Sequence, residues 1–190
     1  MDVVRSRPAL GVALSGPLNL EQILTFLMDT PMFRDLDPTE LSEIVHILQV
    51  RHIRQGHKVF SEGETGDAWY IVYEGEVDVL KDSGLGLERL ARLGPRACFG
   101  EMSILDGSAR SATVLPVGDV SVLRFPRLEF QDLLRAGNLA AYKLVLQMAL
   151  VLVGRQRSTT SRLTTLLKLN QDILVREGLS PIVEIFSSSE

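Results

Sequence analysis

The 190-residue sequence has few of the residue types that build metal centres and covalent frameworks. It has one cysteine, Cys98, which excludes a disulfide framework and any cluster held by several cysteines of one chain. Its three histidines, His46, His52 and His57, lack metal-ligand spacing and a companion cysteine or acidic pair. We therefore expect no metal and no cofactor, and we predict that Cys98 fills the core.

A strong charge of one sign and a long hydrophobic run are also missing. The net charge of −4 gives no global attraction to nucleic acid or to an anionic membrane. The longest apolar run, Leu144–Val153, is interrupted by Gln147 and reaches only about half of a bilayer span. The short apolar stretch at Ala9–Leu14 does not favour a secretory signal. The expected location is the cytoplasm, without a membrane partner.

The most informative segment present is residues 99–114, which reads FGEMSILDGSARSATV. Gly100 has no Cβ and therefore lets the backbone approach a ligand closely. Arg110 supplies a permanent positive fork that suits phosphate oxygens. Ser111 adds a hydroxyl, and the amides near Ala112 add backbone donors. This combination predicts a phosphate site.

Glu101 places a carboxylate in the same segment, where a phosphate alone would be repelled. A carboxylate there is useful if the ligand also carries a hydroxyl that needs an acceptor, such as a ribose 2′-OH. The short turn that follows, Glu101–Leu105, leaves its first amides without intrahelical partners. Phosphate and sugar hydroxyl together describe a nucleotide.

The same segment resembles the phosphate-binding cassette of cyclic nucleotide-binding domains. These domains occur in catabolite-activator-type regulators, protein kinase A regulatory subunits and cyclic-nucleotide-gated channels. The resemblance implies that Gly100 and Glu101 bind the ribose and that Arg110, Ser111 and Ala112 bind the cyclic phosphate. We further expect that replacing Arg110 with alanine severely weakens cyclic nucleotide binding and leaves the fold intact, because a charge-assisted phosphate contact is lost. Four further cassette positions are expected to line the pocket: Phe99, Met102, Ser103 and Thr113.

Periodicity along the chain predicts helices at both ends and short strands between them. An asparagine cap precedes an apolar stripe over Asn19–Met28, and Asp37 with Pro38 begins a second helix. Pro126 opens a short helix that runs to Arg135. The predicted strands, separated by glycines, are Val59–Phe60, Trp69–Tyr73, Val77–Leu80, Leu87–Leu93, Ala112–Val117 and Val120–Phe125.

This pattern predicts a mainly β fold with flanking helices (α+β), and the resemblance, which covers about residues 20–157, specifies it further. It implies an antiparallel, jelly-roll-like β-roll with N-terminal helices and a long C-terminal helix. The predicted parts are a flexible arm over 1–18, the cyclic nucleotide-binding roll over 19–137, the long helix over 138–176, and a short apolar segment with a tail over 177–190.

The long helix carries residues at alternating spacings of three and four, which is typical of a coiled-coil seam. We expect it to form a homodimer through this seam and to act as a lid over the ligand. The alternative is a helix that lies across its own domain, where leucine richness alone produces the spacing. The seam positions are Leu139, Tyr142, Leu146, Ala149, Val153, Gln156, Thr160, Leu163, Leu167 and Asn170.

In the resembling family, residues of the long helix close over the purine, and by position Arg155, Gln156 and Thr159 are the candidates here. Arg157 is a weaker candidate. An arginine there could stack on a purine face, or it could be a solvated flank of the seam. Serine at position 111 is found with cAMP binders in the family, so cAMP is expected rather than cGMP.

The sequence thus predicts a stand-alone cyclic nucleotide-binding regulatory module that relays ligand binding to an unidentified protein effector. No helix-turn-helix module fits in the twenty residues after position 170, so no DNA-binding module is expected. Catalysis is not expected, because Ser103, Ser108 and Ser111 have no histidine placed to activate them. Two alternatives stay open: a ligand-independent adaptor on the same fold, or a fragment of a longer transcription regulator.

Overall fold

The computed structural model describes the backbone of residues 19–176 and the side chains of residues 19–170. The predicted arm over 1–18 and the predicted segment and tail over 177–190 lie outside these residues. The helices are α1 (Leu20–Met28), a 3₁₀ turn (Pro31–Phe33), α2 (Pro38–Val45), α3 (Met102–Asp106), α4 (Arg127–Arg135) and α5 (Leu139–Arg176). The strands are β1 (Gln49–Ile53), β2 (Ala68–Glu74), β3 (Val77–Asp82), β4 (Leu87–Leu93), β5 (Cys98–Phe99), β6 (Thr113–Pro116) and β7 (Val120–Pro126). The first of two compact units runs to Lys143, and the second begins at Leu144.

Both N-terminal helices begin with the caps that the sequence predicts. The Asn19 side chain accepts a hydrogen bond from the Gln22 amide at 2.8 Å, and the Gln22 side chain accepts one from the Asn19 amide. Asp37 accepts hydrogen bonds from the Thr39 and Glu40 amides, and Glu40 accepts one from the Asp37 amide at 2.9 Å. Each helix therefore has a complete capping box, which satisfies amides that no earlier turn can satisfy.

The strands form two antiparallel sheets, in agreement with the expected α+β roll. One sheet has the order β1-β7-β2-β5, and the other has the order β4-β3-β6. β7 lies between β1 and β2, so Arg124 is paired with Gln49 on one side and with Tyr70 on the other. This register brings side chains from three distant parts of the sequence to one end of the sheet.

Alternating residues of β2 and β7 build two hydrophobic layers, one on each face of the sheet. On one face, Trp69 stacks on Phe125 with ring centroids 4.0 Å apart, and Phe33 and Phe130 lie against the same indole ring. The helical segments thus cover this face with aromatic rings. The opposite face belongs to the interior of the roll, whose buried members are Phe60, Ala68, Tyr70, Val72, Val77, Phe99, Val114, Val120 and Val122.

Two strands and one bridge differ from the sequence-based prediction. β1 and β5 were not predicted, because β1 is an edge strand rich in polar residues and β5 has only two residues. The predicted strand at Val59–Phe60 is present only as an isolated bridge between Phe60 and Val114. Cys98 is buried as predicted, at 5% exposure.

The start of α5 is fastened to α2. The Asn138 side chain caps the helix by accepting the Ala141 amide hydrogen at 2.9 Å, and its amide group donates to Glu43. One turn further, the Lys143 ammonium donates to both carboxylate oxygens of Glu40, at 2.6 and 2.7 Å. α5 therefore begins at a fixed place on the N-terminal helices.

By length and composition alone, the helix over Leu139–Asn170 is able to cross a membrane, and it is the only such helix within residues 19–170. Of its apolar 18-residue window, 28% is buried within the protein. A seam between two protein helices has the same apolar composition, so this property alone does not distinguish the two environments.

Candidate functional site

The loop between β5 and β6 holds the cassette predicted from the sequence. Gly100 leaves β5 with a φ of 76°, α3 follows at once, and Gly107 ends α3 with a φ of 75°. Both angles lie in the left-handed region, which glycine adopts without a steric penalty. A Cβ at Gly100 would lie 2.8 Å from the Arg110 Nη1 atom. The glycine therefore permits the close approach of Arg110 to the backbone, whereas its contact with a ligand stays a prediction.

The Arg110 guanidinium is held by four hydrogen bonds to groups of the chain itself. Its Nη1 atom donates to the Gly100 carbonyl oxygen and to the Ser103 hydroxyl, each at 2.9 Å. Its Nη2 atom donates to the Ala68 carbonyl oxygen at 2.7 Å and to Asp67 Oδ1 at 3.1 Å. Its Nε atom is buried and has no hydrogen-bond partner among the described residues. One of the five donors of this arginine thus remains unused.

Aromatic rings complete the surroundings of this guanidinium. Its Cζ atom lies 4.1 Å from the centroid of the Phe60 ring and 5.7 Å from that of Tyr70. Only 1% of the Arg110 side chain is exposed, and this burial lowers its pKa from the usual arginine value. Stacking on a ring face offsets part of the desolvation cost and fixes the plane of the guanidinium.

Asp67, which lies in the turn before β2, accepts hydrogen bonds from two arginines through its carboxylate. Its Oδ1 atom accepts from Arg110, and its Oδ2 atom accepts from Arg124 at 2.7 Å. Partial burial acts to raise the pKa of Asp67. The hydrogen bond from Arg124 and the positive charges of both arginines outweigh that effect, so the pKa lies below its ordinary value of 3.8. Asp67 is therefore ionised at neutral pH.

The other cassette residues differ in their exposure to solvent. Phe99, Ser103 and Thr113 are buried, at 2%, 2% and 5% exposure. Glu101 is fully buried at 1% exposure, whereas Met102 is exposed.

Ser111, the predicted phosphate contact next to Arg110 in the chain, is exposed. Its hydroxyl lies 3.7 Å from the Met102 sulfur. Its neighbour Ala112 is buried at 7% exposure.

One close contact joins this loop to the turn before β2. A Cβ at Gly66 would lie 2.1 Å from the Ser103 hydroxyl oxygen and 2.4 Å from the Ser103 Cβ atom. The Arg127 amide donates to the Asp67 carbonyl oxygen at 2.8 Å, and the Arg127 guanidinium donates to the Gly66 carbonyl oxygen at 3.3 Å. The turn at Gly66 and Asp67 therefore contacts both the cassette and the first residue of α4.

Sequence reasoning missed Lys81, which also lies beside the cassette. Its ammonium donates to the Ser111 carbonyl oxygen at 3.0 Å and pairs with Glu62. The Glu62 amide in turn donates to the Thr113 hydroxyl at 3.0 Å. A lysine at the end of a half-exposed strand gives no signal of its own, since only the antiparallel register brings it to the loop.

The purine candidates Arg155, Gln156 and Thr159 are all exposed on α5, in the second compact unit. The Thr159 hydroxyl donates to the Arg155 carbonyl oxygen at 3.0 Å. Their role toward a purine stays a prediction. Among the described residues, no group of three or more histidine, cysteine or acidic side chains is placed to hold a metal ion.

Known proteins are similar to this chain over most of its length. A family model described as the cyclic nucleotide-binding domain matches residues 50–136. The cyclic AMP receptor protein of Thermus thermophilus is 34% identical over 166 residues, which cover 82% of this chain and 74% of that protein. The chain belongs to the cyclic nucleotide-binding domain family. The cAMP-dependent protein kinase regulatory subunit of Mycosarcoma maydis is 37% identical over 93 residues, 49% of this chain and 18% of that subunit.

Solved structures of the family share this fold. The catabolite activator protein of Thermus thermophilus matches with a TM-score of 0.63 at 31% identity, over 80% of this chain and 73% of its own. A cyclic nucleotide-binding domain from Methylobacillus flagellatus KT matches with a TM-score of 0.68 at 26% identity, over 76% of this chain and 82% of its own. The regulatory domain of Toxoplasma gondii PKA with cAMP has a TM-score of 0.55 at 28% identity, and the match covers 59% of this chain and 43% of that one. All of these proteins share the fold of this chain, but the chain spans less than half of the length of the two kinase regulatory relatives.

Proposed function

We propose that this domain is a regulatory module that binds cAMP in preference to cGMP and relays binding to a protein partner through its helices. The observation that carries the proposal is the state of Arg110. Its guanidinium is buried, fixed by four hydrogen bonds and stacked on Phe60, yet its Nε donor is unused. A buried donor without a partner costs free energy that a ligand oxygen would recover. The exposed Ser111 hydroxyl beside it supplies a second donor.

The sugar side of the proposed site is Glu101 with Gly100. Glu101 is buried at 1% exposure, and a carboxylate is a strong acceptor for the hydrogen of a ribose hydroxyl. The Thermus thermophilus relative is a cyclic AMP receptor protein, and the Toxoplasma gondii regulatory domain forms a complex with cAMP. Together with serine at position 111, they support cAMP as the preferred nucleotide.

Isothermal titration of the purified chain with cAMP, cGMP and cyclic dinucleotides tests the ligand. We expect Arg110→Ala to weaken cAMP binding about a hundredfold, since a charge-assisted contact is lost. Ser111→Ala, at an exposed position, is expected to weaken it several-fold without affecting the fold. Arg89→Ala, on exposed β4, is a charge-matched control that should bind normally. Tighter binding of cGMP than of cAMP would contradict the proposed specificity.

The relay to α4 is supported by the contacts of Asp67. This residue accepts a hydrogen bond from Arg110 through its side chain and one from the Arg127 amide through its carbonyl oxygen. A displacement of Arg110 toward a ligand would therefore move Asp67 and, through its carbonyl oxygen, the first residue of α4. Such a coupling acts as a switch only if the ligand favours one arrangement over the other. Hydrogen exchange of α4 amides with and without cAMP tests it, and unchanged exchange at saturation would contradict the relay.

The proposed homodimer uses the seam of α5. All ten seam positions, from Leu139 to Asn170, are exposed in the single chain. Exposed leucines at a and d positions of a heptad repeat favour association with an identical helix. Leu163→Asp with Leu167→Asp is expected to shift the molar mass in light scattering from dimer to monomer. Thr165→Asp, at an outward heptad position, should leave it unchanged, and a monomeric parent chain would contradict the proposal.

We also propose a cytoplasmic location, because an apolar α5 is accounted for by the seam and the helix carries Arg155 and Arg157 on exposed positions. Recovery of the full chain in the high-speed supernatant after cell lysis tests this. Recovery in the membrane pellet that resists salt washing would contradict it.

A second candidate function is a ligand-independent adaptor. It is favoured by one observation, namely that four of the five donors of Arg110 already have partners in the chain. A thermal-shift screen separates the two candidates, because a ligand that binds only the folded state raises the melting temperature. No shift with any cyclic nucleotide at millimolar concentration would favour the adaptor.

A further inference from the structure

Arg124 occupies an unusual position in the roll. It lies on β7 two residues after Val122, which in turn follows Val120 by two, so it continues the row that faces the interior of the roll. A charged side chain in such a row is costly unless it is paired. Only 17% of the Arg124 side chain is exposed, compared with 62% of the Asp67 side chain with which it pairs.

Arg124 is held in place by a hydrogen bond to Gln49 as well as by its contact with Asp67. Its Nη1 atom donates to the Gln49 side-chain oxygen at 3.0 Å, and Gln49 is its partner in the β1–β7 ladder. Its Nη2 atom donates to Asp67 Oδ2 at 2.7 Å, which is shorter than the 3.1 Å contact between Asp67 Oδ1 and Arg110. The exposed carboxylate of Asp67 is thus held more closely by Arg124 than by the cassette arginine.

The shared carboxylate also determines the charge that an incoming phosphate meets. The negative charge of Asp67 repels a phosphate. Without Arg124, that charge would be balanced at this contact only by Arg110, whose positive charge is needed to bind the phosphate. With Arg124 present, a second guanidinium balances the same carboxylate. The anchoring and the charge balance therefore act in the same direction on ligand affinity.

We propose that Arg124 is a positioning residue of the cyclic nucleotide site, which acts through Asp67. It fixes the position of the Arg110 guanidinium, and by balancing the charge of Asp67 it leaves the positive charge of Arg110 available to the cyclic phosphate. Arg124 itself is not expected to contact the ligand. The inference rests on the proposed function for the ligand, but its first half, the fixing of Arg110, applies to the ligand-free chain as well.

The ligand test is a double-mutant cycle with cAMP, measured by calorimetry on the full chain. Arg124→Gln is expected to weaken binding about tenfold, which corresponds to about 1.4 kcal/mol. Whatever Asp67→Asn does alone, adding Arg124→Gln to it should change the affinity less than about twofold, since neighbouring groups that act through one another are not additive. Equal weakening in both backgrounds, or no weakening in either, would overturn the inference.

Two further variants separate positioning from folding. Arg124→Lys keeps the charge but cannot reach Gln49 and Asp67 with one planar fork, so partial rescue of affinity is expected. Arg89→Gln, which removes an exposed guanidinium paired with Asp78 at 3.7 Å, should leave affinity unchanged. Loss of affinity in all three variants in proportion to their loss of stability in urea would overturn the inference.

Arginine side-chain nitrogen NMR of the ligand-free chain keeps the two proposals distinct. In the parent chain the Cζ–Nη2 bond of Arg110 should rotate slowly, because Nη2 donates to Asp67 and Ala68. Arg124→Gln is expected to speed this rotation, and in the Asp67→Asn background it should not. If no cyclic nucleotide binds the parent chain, the proposed function fails, and this measurement still decides whether Arg124 positions Arg110. Unchanged rotation would overturn the inference.

Discussion

The Gly100 carbonyl oxygen accepts a hydrogen bond from Arg110 at 2.9 Å, and the α-carbon hydrogen of the same glycine faces the same arginine nitrogen. Gly100 therefore holds the guanidinium in two ways: its carbonyl oxygen accepts a hydrogen bond, and the absence of a side chain leaves room for the arginine. Any side chain at Gly100 would displace the arginine from the plane in which it stacks on Phe60.

Gly100→Ala should therefore lower both stability and ligand affinity. The left-handed φ of 76° makes alanine strained, and the added Cβ would lie 2.8 Å from Arg110 Nη1. Gly84→Ala is the matched control, because its φ is 81° and nothing lies within 4 Å of the added Cβ. We expect about 1–2 kcal/mol of destabilisation for the control and about 1–3 kcal/mol more for Gly100→Ala. Urea unfolding measures both, and equal losses would contradict the close contact.

Gly66→Ala tests the contact between the turn and the cassette. The added Cβ would meet the Ser103 side chain at 2.1 Å, so overpacking should cost about 1–3 kcal/mol. Adding Ser103→Gly removes the obstructing atoms and should recover part of that loss in urea unfolding. Gly118→Ala, where the new Cβ meets nothing within 4 Å, is the control. A double variant no more stable than Gly66→Ala would show that the obstruction lies elsewhere.

Phe125→Ala is expected to destabilise the protein by about 3–5 kcal/mol, because it removes the ring stacked on Trp69 and leaves a cavity. Trp69 is the single tryptophan of the chain, so its fluorescence reports directly on this cavity. Leu85→Ala, at a side chain that is 98% exposed, should change the free energy of unfolding by less than about 0.5 kcal/mol. An unchanged emission maximum in folded Phe125→Ala would contradict the stacked arrangement.

Asp67 gives the stability a defined dependence on pH. Its pKa in the folded state lies below its ordinary value of 3.8, so its contribution is fully present above that value and is lost as the pH falls through the folded pKa. The stability difference between the parent chain and Asp67→Asn should therefore be constant from pH 7 to about pH 5 and shrink below about pH 4. Denaturant midpoints at each pH measure it. A stability difference that changed between pH 5 and pH 8 instead would contradict the lowered pKa of Asp67.

The parts of the fold that sequence predicted well depend on local signals. Asn19 and Asp37 are the caps that short side chains before apolar stripes predict, and Leu87–Leu93 has the bounds that alternation gave it. β5 has only two residues and exists because Tyr70 and Ile71 pair with it across the sheet. Such a strand has too few residues for a periodicity of its own, so sequence reasoning could not place it.

The candidate site divides in the same way. The cassette from Phe99 to Thr113 is continuous in sequence, so its residue types could be recognised together. Asp67 and Arg124 reach it only through the register of β2 and β7, which no local pattern encodes. That replacing Arg110 leaves the fold intact stays a prediction, and it has to be tested against the four internal hydrogen bonds of this side chain, two of which go to the buried residues Ser103 and Ala68.

The carboxylate of Glu40 takes part both in the cap of α2 and in an ion pair with α5. Its Oε2 atom closes the capping box of α2 at the Asp37 amide, and it also receives the Lys143 ammonium from α5. Residues a hundred positions apart in the chain therefore compete for, and stabilise, one oxygen atom. Displacement of Lys143 would therefore change the hydrogen bonding at the beginning of α2, which links this helix to the first turns of α5 without any contact to a ligand.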